Sequence, residues 1–345
     1  MRFPPLVWFL RPLQISALLV LTAACFQSSG SQIAFVTAVD GDQEVVLLDP
    51  NTGQMTGLTD NRSSDYEPRW SPNGKLLVYL SDESGDLEIN LVDIKQDVIT
   101  RLTHSPGDDN SPRWSPDGTK LAFISQRDGQ SEVYLMNADG SNPTRVTNNS
   151  TEDHMGAWSP DGVWLVFYSE DEDNPGEDTQ RGLWLRNPDG VNLVHLTNGE
   201  DRDPAWSPDG KHIAFVRGAS GEEDIYLVSK LSNATWQDDT EIVRLTQHDS
   251  ADLAPAWSPD SRSIAFINSP QGTAEILTMR ADGSKQRRLT NNGNDDLAPV
   301  WSADGKQIAF VSYLYGAGEI FIMNADGSEQ RRLTNNGAED AYPDW

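Results

Sequence analysis

Seven apolar triplets punctuate the chain: Ile33-Ala34-Phe35, Leu77-Val78-Tyr79, Leu121-Ala122-Phe123, Leu165-Val166-Phe167, Ile213-Ala214-Phe215, Ile264-Ala265-Phe266 and Ile308-Ala309-Phe310. After each comes a second short run rich in β-branched, aromatic and aliphatic residues, from Glu44 to Asp49 in the first copy to Glu319 to Asn324 in the last. Most copies then turn through Asp-Gly, as at Asp139-Gly140 and Asp326-Gly327, where glycine supplies the positive φ of a tight turn. A third run ends in Leu-Thr or Val-Thr, as at Leu102-Thr103 and Val146-Thr147. The fourth element carries tryptophan: Trp-Ser-Pro-Asp/Asn recurs at Trp70, Trp114, Trp158, Trp206 and Trp257, with Trp-Ser-Ala-Asp at Trp301. Short apolar runs bounded by Gly, Pro and Asp read as strands, and beyond the N-terminal region no segment keeps a helical period.

These tryptophans stand 44 to 51 residues apart, and self-similarity at such a period marks a repeat architecture. Four short antiparallel strands per repeat, in seven repeats, predict an all-β fold, a seven-bladed β-propeller over residues 32–345. Proline two residues before tryptophan, at Pro68, Pro112, Pro204, Pro255, Pro299 and Pro343, fits an edge strand lining a central channel, because proline cannot donate to a ladder. Gly156 takes its place in the fourth repeat. The first repeat lacks a tryptophan strand, whereas Asp340 to Trp345 is such a strand with no repeat after it. The C-terminal strand is therefore expected to complete the first blade and close the ring. Two repeats are longer, by Glu170 to Asp178 in the fourth and Leu231 to Glu241 in the fifth, and both insertions are expected in exposed loops.

Charge narrows the partners. With 53 acidic and 26 basic side chains the net charge is −27, and such a surface repels nucleic acid and anionic headgroups. Cations, basic proteins or peptides, and neutral ligands such as glycans remain. The single cysteine, Cys25, follows a segment with Arg2 and Arg11, no acid, and an uncharged, mostly apolar run from Leu13 to Ala24. That run suits a signal-peptide core over residues 1–24 and is too short to span a bilayer. Leu21-Thr22-Ala23-Ala24-Cys25 resembles a bacterial lipobox, which makes Cys25 the lipidated residue and residues 25–31 a polar tether. The resemblance implies a bacterial lipoprotein at the cell envelope, touching a membrane only through its N-terminal lipid.

The phrase Trp-Ser-Pro-Asp-Gly-Lys-x-Ile-Ala-Phe, with Glu-Ile-Phe-Ile-Met-Asn-Ala-Asp-Gly-Ser and Arg-Arg-Leu-Thr, resembles the WD-like repeat of the TolB propeller family. The match runs over residues 32–345 and implies the fold. TolB proper adds an N-terminal domain and has six blades, and peptidases with this repeat add an α/β-hydrolase domain, whereas no Gly-x-Ser-x-Gly occurs here.

One acidic register recurs in every repeat, five residues before tryptophan: Asp65, Asp109, Asp153, Asp201, Asp252, Asp296 and Asp340. The topology predicts a ring of these carboxylates at one mouth of the channel. Such a ring suits a cation or a partner's basic group, or each aspartate serves its own loop through backbone N–H bonds. Asp117, Asp161 and Asp209 belong to turns, and the tryptophans pack between blades. The histidines His104, His154, His195, His212 and His248 lack ligand spacing, and Asp171-x-Asp173-x-Pro175-Gly176 has Gly182 where a calcium loop needs glutamate. No cofactor and no catalytic motif is expected. The expectation is thus a monomeric, non-enzymatic protein-binding or scaffolding module of the envelope; the alternative is a propeller enzyme or binder acting on glycans at the channel mouth.

Overall fold

The structure is a computed structural model that describes residues 32–39, 41–170, 181–230, 236 and 240–345. The proposed signal peptide, Cys25 with its tether, and the acidic insertion with its calcium-like run lie outside the described residues.

Seven four-stranded antiparallel sheets form the blades of a propeller. Blade 2 shows the plan: Asp65–Trp70, Leu76–Ser81, Glu88–Asp93 and Val98–Arg101 pair in sequence order. The tryptophan strand is innermost, and each inner strand touches the next around a closed ring. Blade 1 takes its inner strand, Asp340–Asp344, from the C-terminus; it pairs with Ile33–Thr37 through Val36 and Ala341 and through Thr37 and Asp340. The ends of the chain therefore share one sheet, which removes the open seam. Apart from a 3-10 turn at Pro270–Gly272, the described residues form no helix.

The core lies between blades, because each sheet is apolar on both faces. Leu80 and Ile89 of blade 2, for example, pack on Leu121, Phe123 and Tyr134 of blade 3. The third residue of the triplet is the largest buried unit: Phe35, Phe123, Phe167, Phe215, Phe266 and Phe310 are all under 2% exposed or at it. Burying one such ring contributes about 2–3 kcal/mol.

Three repeated polar devices lock this frame. The threonine of Leu-Thr accepts the N–H of the third strand's second residue in every blade, from Val45 to Thr59 at 2.9 Å through Ile320 to Thr334 at 2.9 Å. The Ser-Pro-Asp-Gly turns close as expected, with Ser115 Oγ donating to Asp117 Oδ1 at 2.6 Å and accepting from Lys120 N at 2.9 Å. The indole N–H groups join blades, Trp114 to the Arg69 carbonyl at 3.2 Å, Trp158 to Arg113 at 3.1 Å, and Trp257 to Ala205 and Trp301 to Ala256 at 3.0 Å each.

Candidate functional site

The seven aspartates occupy one register, as the sequence predicts, each at the start of an inner strand. Their setting differs from a solvent-facing ring: all are 0–3% exposed. Nor do their carboxylates serve chiefly backbone N–H groups; side chains hold them. A donor four residues upstream does so in most blades: Asn61 on Asp65 at 3.0 Å, Ser105 on Asp109 at 2.5 Å, Asn149 on Asp153 at 3.0 Å, His248 on Asp252 at 2.7 Å, Asn292 on Asp296 at 2.8 Å and Asn336 on Asp340 at 3.0 Å. The loop of blade 5 is shorter, and there Arg217 clasps Asp201 with both Nε and Nη2, at 2.5 and 2.6 Å. Arg127 adds a second partner to Asp109 at 3.1 Å.

The backbone explains why this register repeats. Each of six of these aspartates donates its N–H to a carbonyl of the preceding blade, as Asp65 does to Gln43 at 2.7 Å and Asp340 to Gly318 at 2.8 Å. The carboxylate fixes the loop that makes this staple. Burial pushes Asp153 and Asp340 up to about 6, and raises Asp65, Asp252 and Asp296 as well, their hydrogen bonds opposing the shift. Among the described residues, no group of three or more His, Cys, Asp or Glu converges to hold a metal ion.

The side chains that reach the channel come from other registers. A bulge precedes the proline of six inner strands, with the residue before it left-handed: Glu67 at φ 45°, Ser111 and Asp203 at 52°, Ala254 at 52°, Ala298 at 50° and Tyr342 at 53°. The bulge breaks strand alternation, so the positions four, three and one before tryptophan are all partly exposed. Blade 4 differs: Gly156 stands in the proline's place, where a Cβ would meet Pro204 Cγ and Val166 O at 2.6 Å each, so a proline does not fit, and Met155 before it is buried.

These channel positions differ from blade to blade. In blades 1, 2, 3 and 5 they carry charge, Asp344, Glu67, Arg69, Arg113, Arg202 and Asp203, while blade 4 places His154, Met155 and Ala157 there. Arg69 faces Asp344 at 3.7 Å. Arg113 donates to the carbonyls of Gly156 at 3.2 Å and Pro112 at 3.0 Å and has no carboxylate within ion-pair distance among the described residues. Its guanidinium is pulled down to about 10 by burial and by Arg69 beside it, while the fields of Glu67, Asp344 and Asp203 oppose the shift. Desolvation by the crowded channel wall raises Asp203, against the pull of Arg202, although its side chain stays half exposed. In blades 6 and 7 the same positions are Leu253, Ala254, Ala256, Leu297, Ala298 and Val300. One arc of the channel is therefore charged, with two adjacent guanidiniums, and the other is apolar. Spacing from tryptophan could have found this arc in the sequence; the signal is a register that varies where its neighbours repeat.

Comparison with known proteins agrees with this architecture. Over 107 residues the chain is 31% identical to the protein TolB homolog of Chlorobaculum tepidum, a match that covers 30% of this chain and 23% of that relative. An oligogalacturonate lyase solved in complex with manganese superposes with a TM-score of 0.70 at 20% identity, covering 87% of each chain. TolB from Acinetobacter baumannii superposes with a TM-score of 0.60 at 20% identity, covering 92% of this chain and 67% of that one. The two structural likenesses establish the fold. Residues 11–181 and 175–345 match the family described as the TolB beta propeller domain, and the chain belongs to that family.

Proposed function

We propose that the protein is an exported, lipid-anchored, non-catalytic binding module of the bacterial envelope, and that it holds a segment of a partner protein at the channel mouth encircled by Asp65, Asp109, Asp153, Asp201, Asp252, Asp296 and Asp340. The observation that carries this reading is the division of the channel wall into a charged and an apolar arc. A partner segment with an apolar side for Leu253, Leu297 and Val300 and a carboxylate for Arg69 and Arg113 matches it. The net charge of −27 steers a basic partner toward the body without defining the contact. The buried aspartates shape the mouth and contribute their field, and the partner's direct contacts fall on the varied positions. Lipidation of Cys25 would hold the mouth at a membrane surface; mass spectrometry of the mature N-terminus tests it.

A second reading, an enzyme or binder for acidic glycans, is favoured by the same guanidinium pair, which suits a sugar carboxylate, and by the lyase likeness. The experiment is affinity capture from envelope extract with the full chain and with Arg69→Ala/Arg113→Ala, beside an assay of both on a polysaccharide panel that includes oligogalacturonate. Capture of one protein by the first bait and its loss with the second supports the binding module. Sugar cleavage or retention that depends on the two arginines, with no protein captured, replaces it with the glycan reading.

A further inference from the structure

The seven blades act as internal controls for one another, and blade 1 departs from them at one place. In five blades the first residue of the third strand is a buried acid, and an arginine from the outermost strand folds onto it. Arg101 pairs with Glu88, Arg145 with Glu132, Arg244 with Asp224, Arg288 with Glu275 and Arg332 with Glu319. Four of these guanidiniums also donate Nε to the carbonyl of the Leu-Thr threonine: Arg101 to Thr103 at 2.8 Å, Arg145 to Thr147 at 2.7 Å, Arg244 to Thr246 at 2.9 Å and Arg288 to Thr290 at 2.8 Å. The acids beneath are 0–5% exposed.

Blade 4 loses both halves of the device. Gly182 replaces the acid and His195 the arginine, and the gap is closed, since a Cβ on Gly182 would lie 2.1 Å from the Thr197 carbonyl. Blade 1 loses only the arginine. Gly57 stands in its place, Glu44 is kept, and among the described residues no cation closes over it: Glu44 is partly exposed where its five counterparts are buried. Its Oε1, the atom that takes the arginine in the sister glutamates, accepts only the Asn61 N–H, at 2.8 Å, among the described residues. Asn61 Nδ2 bonds Asp65 Oδ2, while Asp65 Oδ1 is buried and unpartnered. Desolvation, with the fields of Asp65 and Asp42, holds Glu44 up at about 6, against the hydrogen bonds from Thr59 and Asn61.

We infer that the place left by Gly57 in blade 1 is a binding site for an arginine side chain presented by another protein, which would bridge Glu44 and the Thr59 carbonyl as the intramolecular arginines do in the sister blades. A guanidinium fits better than an ammonium, because the donors must reach a carboxylate and a carbonyl at once from one planar group. The site lies at the outer strands of blade 1 and uses none of the varied channel-wall positions, although Asn61 links Glu44 to Asp65, so Gly57→Arg tests it separately from the Arg69→Ala/Arg113→Ala test of the channel reading.

The chain itself supplies the blocking variant. Gly57 is not left-handed, and a Cβ there would meet only the Thr59 carbonyl, at 3.7 Å, so Gly57→Arg can restore the sister-blade pair without strain. The experiment titrates the purified full chain with N-acetyl-arginine-N-methylamide, and with the uncharged citrulline analogue, while following the Asn61 amide resonance. The expected result is a saturable shift with the arginine compound alone, abolished in Gly57→Arg and weakened at least about tenfold in Glu44→Gln, which keeps the shape and removes the charge. A melting temperature for Gly57→Arg equal to or above that of the parent shows that the blocked site is a folded one. No saturable shift in the parent, or an equal shift in Glu44→Gln, overturns the inference.

Discussion

The inner strands contain two kinds of position a few residues apart, and they have opposite logic. The aspartate five before tryptophan is the same in all seven blades, is buried, and takes its hydrogen bonds from inside the protein. The positions four, three and one before tryptophan change from Tyr66, Glu67 and Arg69 in blade 2 to Leu297, Ala298 and Val300 in blade 7, and they remain partly exposed. A repeat preserves what every blade needs in order to stand against its neighbour; a ligand that meets the channel once does not need seven identical contacts. In such an array the informative register is the one that varies.

The sharpest way to break that comparison is to remove a framework element whole. Deleting residues 340–345 takes the inner strand of blade 1 and its partner contacts with Ile33–Thr37. The expected outcome is loss of the cooperative transition, or a fall in melting temperature greater than about 10 °C. A deletion variant that melts like the parent would show that the ring does not depend on this closure.

A smaller effect separates the two registers directly. Asp201→Ala strands the Arg217 guanidinium that now clasps it, and should destabilise by about 3–5 kcal/mol in urea unfolding. Arg113→Met, in the channel, removes a desolvated cation that sits beside Arg69 and should change stability by no more than about 0.5 kcal/mol while altering ligand capture. Equal losses from the two would erase the distinction between frame and channel.

The smallest expected effect is on pH dependence. Burial raises Asp153 and Asp340 to about 6, above the ordinary carboxylate value near 4, so the folded state binds protons more tightly than the unfolded one. Stability from these groups is full at low pH and declines as pH rises from about 4 through 6. The melting temperature should therefore be a few degrees higher at pH 5 than at pH 7.5, and Asp153→Asn/Asp340→Asn should flatten the difference. The turn aspartates such as Asp117, held below their usual range by Ser115 and the Thr119 N–H, lose their contribution only at more acidic pH. A profile that falls steadily from pH 7.5 to 5 would show that the inner aspartates are not governed by burial.

Much of the fold was legible because its causes are local and repeated. The triplet ending in Phe123 or Phe215, the proline before tryptophan and the turn at Asp117-Gly118 each announce a strand, an edge or a reversal, and seven copies turn weak signals into a strong one. The unpaired end at Trp345 likewise implied its partner at Ile33 by elimination. The candidate site was less legible. Periodicity located the seven aspartates, but it carried no information on which side of the loop their carboxylates fall, and the donors that cover them, Asn61, Asn149, Arg217 and Asn268 among them, come from loops and neighbouring strands.

The sequence by itself determined the number of blades, their strand order, the closure and the net charge, since these follow from near-neighbour patterns and from counting. Only the tertiary structure decided that the repeated carboxylates are buried, that Arg69 and Arg113 meet in one channel, and that Glu44 lacks the guanidinium its counterparts possess. The physical reason is that burial and pairing belong to surfaces brought together from different blades: Arg113 senses Asp203 and Asp344, residues remote along the chain, only because the ring is closed.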